Sequence, residues 1–157
     1  REAFAVGQYD APDGADTTGR VRSVVLPNGK RFTWFVDPHF HPTRLVDIAF
    51  TGLPEQVVPG DTLRLTLRIS NPYPYAIGVC GDRSLVMLWK HGRFRVEEFD
   101  TGEHFNIPAG DTITREVRFV VPEQLSGAGF DAGFALRRDG YTNWFNGKPL
   151  RTEVVAP

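Results

Sequence analysis

Hydrophobic and polar residues alternate without interruption in the stretch Thr62–Ser70, whose sequence is TLRLTLRIS. A repeat of two residues is typical of a β-strand with one face buried and the other in water. Pro59-Gly60 precede the stretch and Asn71-Pro72 follow it, and such residues interrupt strand pairing or form turns. The pattern therefore predicts a half-buried strand. Its core positions are Leu63, Leu65, Leu67 and Ile69.

Two further stretches define strands of different kinds. The segment 107–122, IPAGDTITREVRFVVP, repeats the same design, and its apolar positions are Ile113, Val117, Phe119 and Val121. Residues 84–90, SLVMLWK, are instead apolar at consecutive positions. Since side chains alternate between the two faces of a strand, this pattern predicts a central strand that is covered on both sides.

Turn-forming dipeptides separate the remaining apolar runs. Asn28-Gly29 lies between the β-rich runs 20–26 and 30–36, which predicts an N-terminal hairpin. Asp139-Gly140 predicts another tight hairpin, with a return strand over residues 141–145. No long helical periodicity is found, and turn signals recur about every 8 to 12 residues. The chain is therefore predicted to be an all-β antiparallel sandwich of about seven to nine strands with an additional hairpin.

The composition is that of a single globular domain. The chain has 157 residues, of which 41% are hydrophobic and 24% charged, enough for one domain with a real core. Residues 1–19 are rich in Ala, Asp and Gly and are predicted to form an extended arm or linker, leaving residues 20–157 as one sandwich domain. With 18 basic and 19 acidic side chains and no basic cluster, nucleic-acid binding is not expected.

Location is less constrained. Cys80 is the only cysteine, so no internal disulfide can form, and no apolar run reaches the roughly 18 residues that span a bilayer. The sequence starts at Arg1 rather than Met. If it is a mature form, a removed leader places it outside the cytoplasm; if it is excised, it is one module of a longer chain with neighbouring domains. We expect an extracytoplasmic or surface location in a bacterium, with the cytoplasm as the alternative.

The strand openings carry a family resemblance. The segments PGDTLRLTLRISNP, PAGDTITREVRFVVP and SGAGFDAGFALRR together resemble the immunoglobulin-like or fibronectin-III-like accessory modules of bacterial polysaccharide-handling proteins. The resemblance covers residues 45–155 and rests on strand starts and turns. It implies an immunoglobulin-like sandwich with a non-catalytic role, either in carbohydrate binding or as a spacer. The chain also resembles a small sandwich type of bacterial proteinase inhibitor, which makes a protein-interaction domain the alternative.

Aromatic residues offer a candidate ligand-binding site. The loop after the strand Thr62–Ser70 and the loop after the next-to-last strand are expected to emerge at the same end of the sandwich. Flat rings beside side-chain amides suit sugars, whose C–H faces stack on aromatic rings while their hydroxyl groups bond to amides. The alternative is that these rings close the end of the core. The candidate residues are Tyr73, Tyr75, Tyr141, Asn143, Trp144 and Phe145.

Catalytic and metal sites find less support. Asp37, His39 and His41 alternate in the loop DPHFHP, so their side chains could share one face and bind a metal. Such a site needs a further ligand, for example His91 or His104. Cys80 has no family signature of a nucleophile around it. We therefore predict no enzyme activity, no cofactor and no metal, and keep a metal site at His39 and His41 as an alternative.

Overall fold

The structure of the protein is a computed structural model that describes residues 21–35, 43–81, 83–93, 95–138 and 144–157. Over these residues it consists of strands and turns, without a helix. The predicted arm, residues 1–19, lies outside this part of the chain. The strands are β1 (Val21–Val25), β2 (Arg31–Phe35), β3 (Asp47–Thr51), β4 (Gln56–Val57), β5 (Thr62–Ser70), β6 (Ile77–Val79), β7 (Arg83–His91), β8 (Arg95–Asp100), β9 (Phe105–Ile107), β10 (Thr112–Val120), β11 (Ala128–Arg138) and β12 (Leu150–Val154).

Two sheets form the sandwich. The first has the strand order β10-β5-β3, and the second has the order β4-β12-β11-β7-β8. All pairs in these sheets are antiparallel except β4 and β12, which are parallel. The short strands β6 and β9 pair separately, as do β1 and β2. This confirms the predicted all-β immunoglobulin-like sandwich, and the hairpin at Asn28-Gly29 is present as β1 and β2.

The core lies between the two sheets and follows the alternation in the sequence. Strand β5 is buried at every second position, with Leu65, Leu67 and Ile69 fully enclosed. In the opposite sheet, five consecutive residues of β7 are buried, which confirms that this strand is covered on both sides. Trp89 joins the layers, because its ring stacks at 6.3 Å on Phe119 of β10.

The last two residues of the predicted return strand over residues 141–145 are not in a strand. Trp144 and Phe145 were expected in a return strand beside β11, but both lie in the irregular segment before β12. The reason is that β12 pairs with the first half of β11, from Ala128 to Ala132. Further along β11, the backbone nitrogen of Leu136 bonds instead to the side chain of Asn146. Residues 139–143 lie outside the described part of the chain.

Candidate ligand-binding surface

The loop after β5 is fixed by a buried asparagine. The side-chain amide of Asn71 donates to the backbone carbonyls of Tyr75 at 2.9 Å, Pro108 at 3.1 Å and Ile107 at 3.3 Å. Its side-chain oxygen accepts a hydrogen bond from the backbone nitrogen of Tyr73 at 2.9 Å. Since a buried amide needs partners for both ends, Asn71 sets the path of the chain through both tyrosines.

Tyr73 belongs to the core. Its side chain is 1% exposed, and its ring stacks on that of Tyr75 with centroids 5.3 Å apart. Its hydroxyl oxygen accepts a hydrogen bond from the backbone nitrogen of Leu45 at 3.3 Å. Burial raises the pKa of Tyr73 above its usual value of 10.0, and the bond from Leu45 acts in the opposite direction. Tyr73 thus supports the loop and presents no ring face to a ligand, contrary to its place in the predicted set.

A second buried asparagine fixes the segment before β12. The amide nitrogen of Asn146 donates to the backbone carbonyl of Thr43 at 2.6 Å and to that of Val46 at 3.0 Å. Its side-chain oxygen accepts from the backbone nitrogen of Leu136 at 2.9 Å. Its own backbone carbonyl accepts from Ile48 at 2.9 Å. Asn146 therefore joins β11 to the segment that leads into β3, and its amide is not available to a sugar.

Residues 43–46 connect the two loops. Leu45 bonds to Tyr73 of the first loop, while Thr43 bonds to Asn146 of the second. The loop after β5 and the described segment 144–149 before β12 therefore lie at the same end of the sandwich.

Tyr75 is half-buried and packs against the core and the ring of Tyr73. Trp144 lies at the same end, beside Arg44. Its side chain is half-buried, and the guanidinium carbon of Arg44 lies 4.9 Å from its ring centroid. Its indole nitrogen is buried and has no hydrogen-bond partner in the described part of the chain. Beside Arg44, the side chain of Leu45 is 54% exposed. We call Arg44, Leu45 and Trp144 the loop-end surface.

Phe145 lies elsewhere, although it follows Trp144 in sequence. Its ring packs against Val86, Leu88 and Ala135 on the outer face of the five-stranded sheet. Gly133 makes room for this contact, because a Cβ atom there would lie 2.7 Å from the Phe145 ring. The ammonium nitrogen of Lys90 is 5.5 Å from the centre of the same ring. The predicted grouping of Phe145 with the loop-end aromatics is therefore not found.

The remaining predicted candidates fall outside the described residues. These are Tyr141 and Asn143 of the aromatic set, and Asp37, His39 and His41 of the alternative metal site. Within the described ranges, no three side chains of His, Cys, Asp or Glu are grouped to hold a metal ion. Cys80 is exposed and reduced. None of the described residues forms a helix long and apolar enough to cross a membrane.

Sequence reasoning missed Arg44, Leu45 and the role of Asn146. Arg44 and Asn146 reach the site through contacts between segments about a hundred residues apart. The one local signal was the run of polar residues around two aromatics in NWFNG, which does not show which amide is buried.

Comparisons with known proteins identify no family for this chain. No family model matches the sequence, and no curated protein matches it. Two solved structures of a β-glucosidase from Listeria innocua, one in complex with isofagomine, are similar with a TM-score of 0.42 and 12% sequence identity. The match covers 71% of this chain and 16% of the glucosidase chain. Likeness at this level carries no conclusion about ligand or activity.

Proposed function

We propose that the chain is a non-catalytic β-sandwich module that binds carbohydrate at the loop-end surface, within a bacterial glycan-handling or cell-surface system. The observation that carries the proposal is the half-buried ring of Trp144 beside the exposed side chains of Arg44 and Leu45.

The chemistry of the surface suits a sugar ring. The apolar C–H face of a sugar stacks on an aromatic ring, and Trp144 supplies the exposed part of its indole for this. The Arg44 guanidinium provides N–H donors for hydroxyl oxygens in a fixed planar arrangement. The exposed Leu45 extends the apolar part of the surface. A shallow surface of this size predicts dissociation constants on the order of 0.1 to 1 mM, equivalent to about 4 to 5.5 kcal/mol.

The proposal is tested by titrating the protein with a panel of soluble oligosaccharides from plant, fungal and bacterial polysaccharides. Binding is measured by calorimetry and by the NMR signals of the indole groups. We expect weak binding in the parent and its loss in Trp144→Ala. Phe145→Leu is the matched control, because this neighbouring aromatic packs on the sheet instead and should leave affinity unchanged. Absence of binding to every member of the panel, or equal losses in both variants, would contradict the proposal and favour a spacer role.

A second candidate function is a protein-interaction domain, for example a proteinase inhibitor. It is favoured by an open groove of about 380 Å³ between β8 and β10, with apolar lining from Phe99, Phe119, Val120 and Pro122. An extended segment of a partner protein would fit a groove between two strands. Assays against serine, cysteine and metalloproteinases test this candidate, and Val120→Asp should abolish any inhibition found.

A further inference from the structure

The strand β10 is an open edge of the first sheet. Among the described strands it pairs only with β5, in an unbroken register from Thr112 opposite Ser70 to Val120 opposite Thr62. The strand contains no proline and no bulge along its nine residues. Natural proteins usually protect sheet edges by shortening, bending or interrupting them. An edge of this length and regularity offers a template for another strand.

The hydrogen bonds at both ends of β10 show which backbone groups face the open side. Asn71 donates its backbone N–H to the carbonyl of Asp111, and Val121 donates to the carbonyl of Asp61. In an antiparallel pair, alternate residues direct both backbone groups to the same neighbour. Odd-numbered residues therefore bond to β5. The even-numbered residues with backbone groups toward the open edge are Thr112, Thr114, Glu116, Arg118 and Val120.

Two of these residues carry opposite charges that are not neutralised within the described chain. Glu116 and Arg118 are exposed, and neither forms an ion pair with a described residue. Arg118 lies directly opposite Arg64 of β5, and like charges at such positions repel. A carboxylate approaching from the open side would therefore be favourable for Arg118.

We propose that β10 pairs with β10 of a second copy of this chain, in an antiparallel register centred on Val117. The two-fold axis then places Glu116 of each copy opposite Arg118 of the other. It also brings the exposed Val120 beside Thr114 of the second copy. The two three-stranded sheets become one continuous sheet of six strands. This association is independent of the proposed carbohydrate binding.

The charges of Glu116 and Arg118 favour this register over the registers centred on either of these two residues. A register centred on Glu116 would oppose two carboxylates, and one centred on Arg118 would oppose two guanidinium groups. The inward-directed Arg115 does not disfavour the pairing, because its charge is neutralised by an ion pair within the chain. Its guanidinium lies 2.9 Å from a Glu103 carboxylate oxygen and stacks over Phe105.

The other open edge, β8, is less suited to self-association. It has six residues rather than nine. Its Glu97 and Glu98 already form ion pairs with Arg95 and Arg137, so they do not call for a charged partner across the edge. The contrast singles out β10 as the edge that fits a second copy.

Sedimentation velocity of the purified chain, from low micromolar to several hundred micromolar, tests the proposal. We expect a reversible monomer–dimer equilibrium that weakens at high salt. Arg118→Glu and Glu116→Arg should each weaken the dimer about tenfold or more, because each single change creates two like-charge pairs. The double variant carrying both changes exchanges the charges and should restore association.

Arg68→Glu is the matched control, because Arg68 is exposed on the same face but lies on the central strand β5. It makes the same change in charge and should leave the dimer unaffected. A chain that is monomeric throughout the concentration range overturns the proposal. So does a dimer that the two edge variants weaken no more than Arg68→Glu does, or one that the double variant does not restore.

Discussion

The loops after β5 and β11 are built alike but use their aromatic residues differently. Each is held by a buried asparagine whose side chain bonds to backbone groups of other segments. In the first loop, the asparagine directs Tyr73 into the core. In the second, Asn146 is buried to the same extent, but Trp144 two residues earlier is half-buried at the surface.

The difference shows that an aromatic residue in a loop takes its role from the position of the nearest buried anchor. Asn71 bonds to the backbone of Tyr73, so that the ring and its anchor enter the core together. Asn146 bonds to Thr43 and Val46, which brings Arg44 to the surface beside Trp144. One loop thus contributes mainly to stability and the other carries the proposed recognition surface.

Truncating the two aromatic residues should separate these roles most strongly. Tyr73→Ala removes a buried ring and should cost about 3 to 5 kcal/mol of unfolding free energy. Trp144→Ala removes a ring that is only half-buried and should cost about 1 to 2 kcal/mol. Chemical denaturation of both variants measures the difference. Equal losses would show that the two loops do not divide the roles in this way.

Replacing the anchor of the second loop should have the next largest effect. Asn146→Ala removes the bonds from Asn146 to the N–H of Leu136 and to the carbonyls of Thr43 and Val46, so we expect a loss of about 2 to 4 kcal/mol. The Thr43 carbonyl keeps its bond from the backbone N–H of Val46. Asn146→Asp keeps the acceptor for Leu136 but loses both donors. It also places a buried carboxylate oxygen against the carbonyls of Thr43 and Val46, so it should destabilise the chain at least as much as Asn146→Ala in thermal denaturation. A loss below about 1 kcal/mol for Asn146→Ala would contradict the anchoring role.

The sequence was sufficient to predict β5, β7, β10 and the N-terminal hairpin because their signals are local. The alternation in β5, the continuous apolar run in β7 and the Asn28-Gly29 turn each report on neighbouring residues. Burial on one face or on both follows directly from such patterns.

The candidate site was predicted only in part because its contacts are not local. Trp144 and Phe145 are adjacent and both aromatic, but one lies beside Arg44 and the other packs on Gly133. This separation depends on the buried bonds of Asn146 to residues about a hundred positions earlier. No periodicity within the loop indicates these distant bonds. The prediction from sequence therefore placed Trp144 and Phe145 in one group, although they lie apart in the fold.

Removing only the hydroxyl group of Tyr73 should give the smallest effect and the most specific one. Tyr73→Phe keeps the ring in the core but removes the acceptor of the Leu45 N–H, so we expect a loss of about 1 kcal/mol near neutral pH. The pKa of Tyr73 is raised by burial in the folded protein. Above pH 10.0 the unfolded chain therefore ionises at this residue before the folded chain does.

Because the pKa of Tyr73 differs between the folded and unfolded chain, the effect of Tyr73→Phe on the unfolding free energy depends on pH. The parent has its full stability contribution from a neutral Tyr73 below pH 10.0 and loses it as the pH rises toward the folded-state pKa. Phenylalanine does not titrate, and the other ionisable groups are common to both proteins. The gap in unfolding free energy between parent and Tyr73→Phe should therefore narrow with alkaline pH. Urea denaturation from neutral to strongly alkaline pH measures it, and a constant or widening gap would show that burial does not control the ionisation of Tyr73.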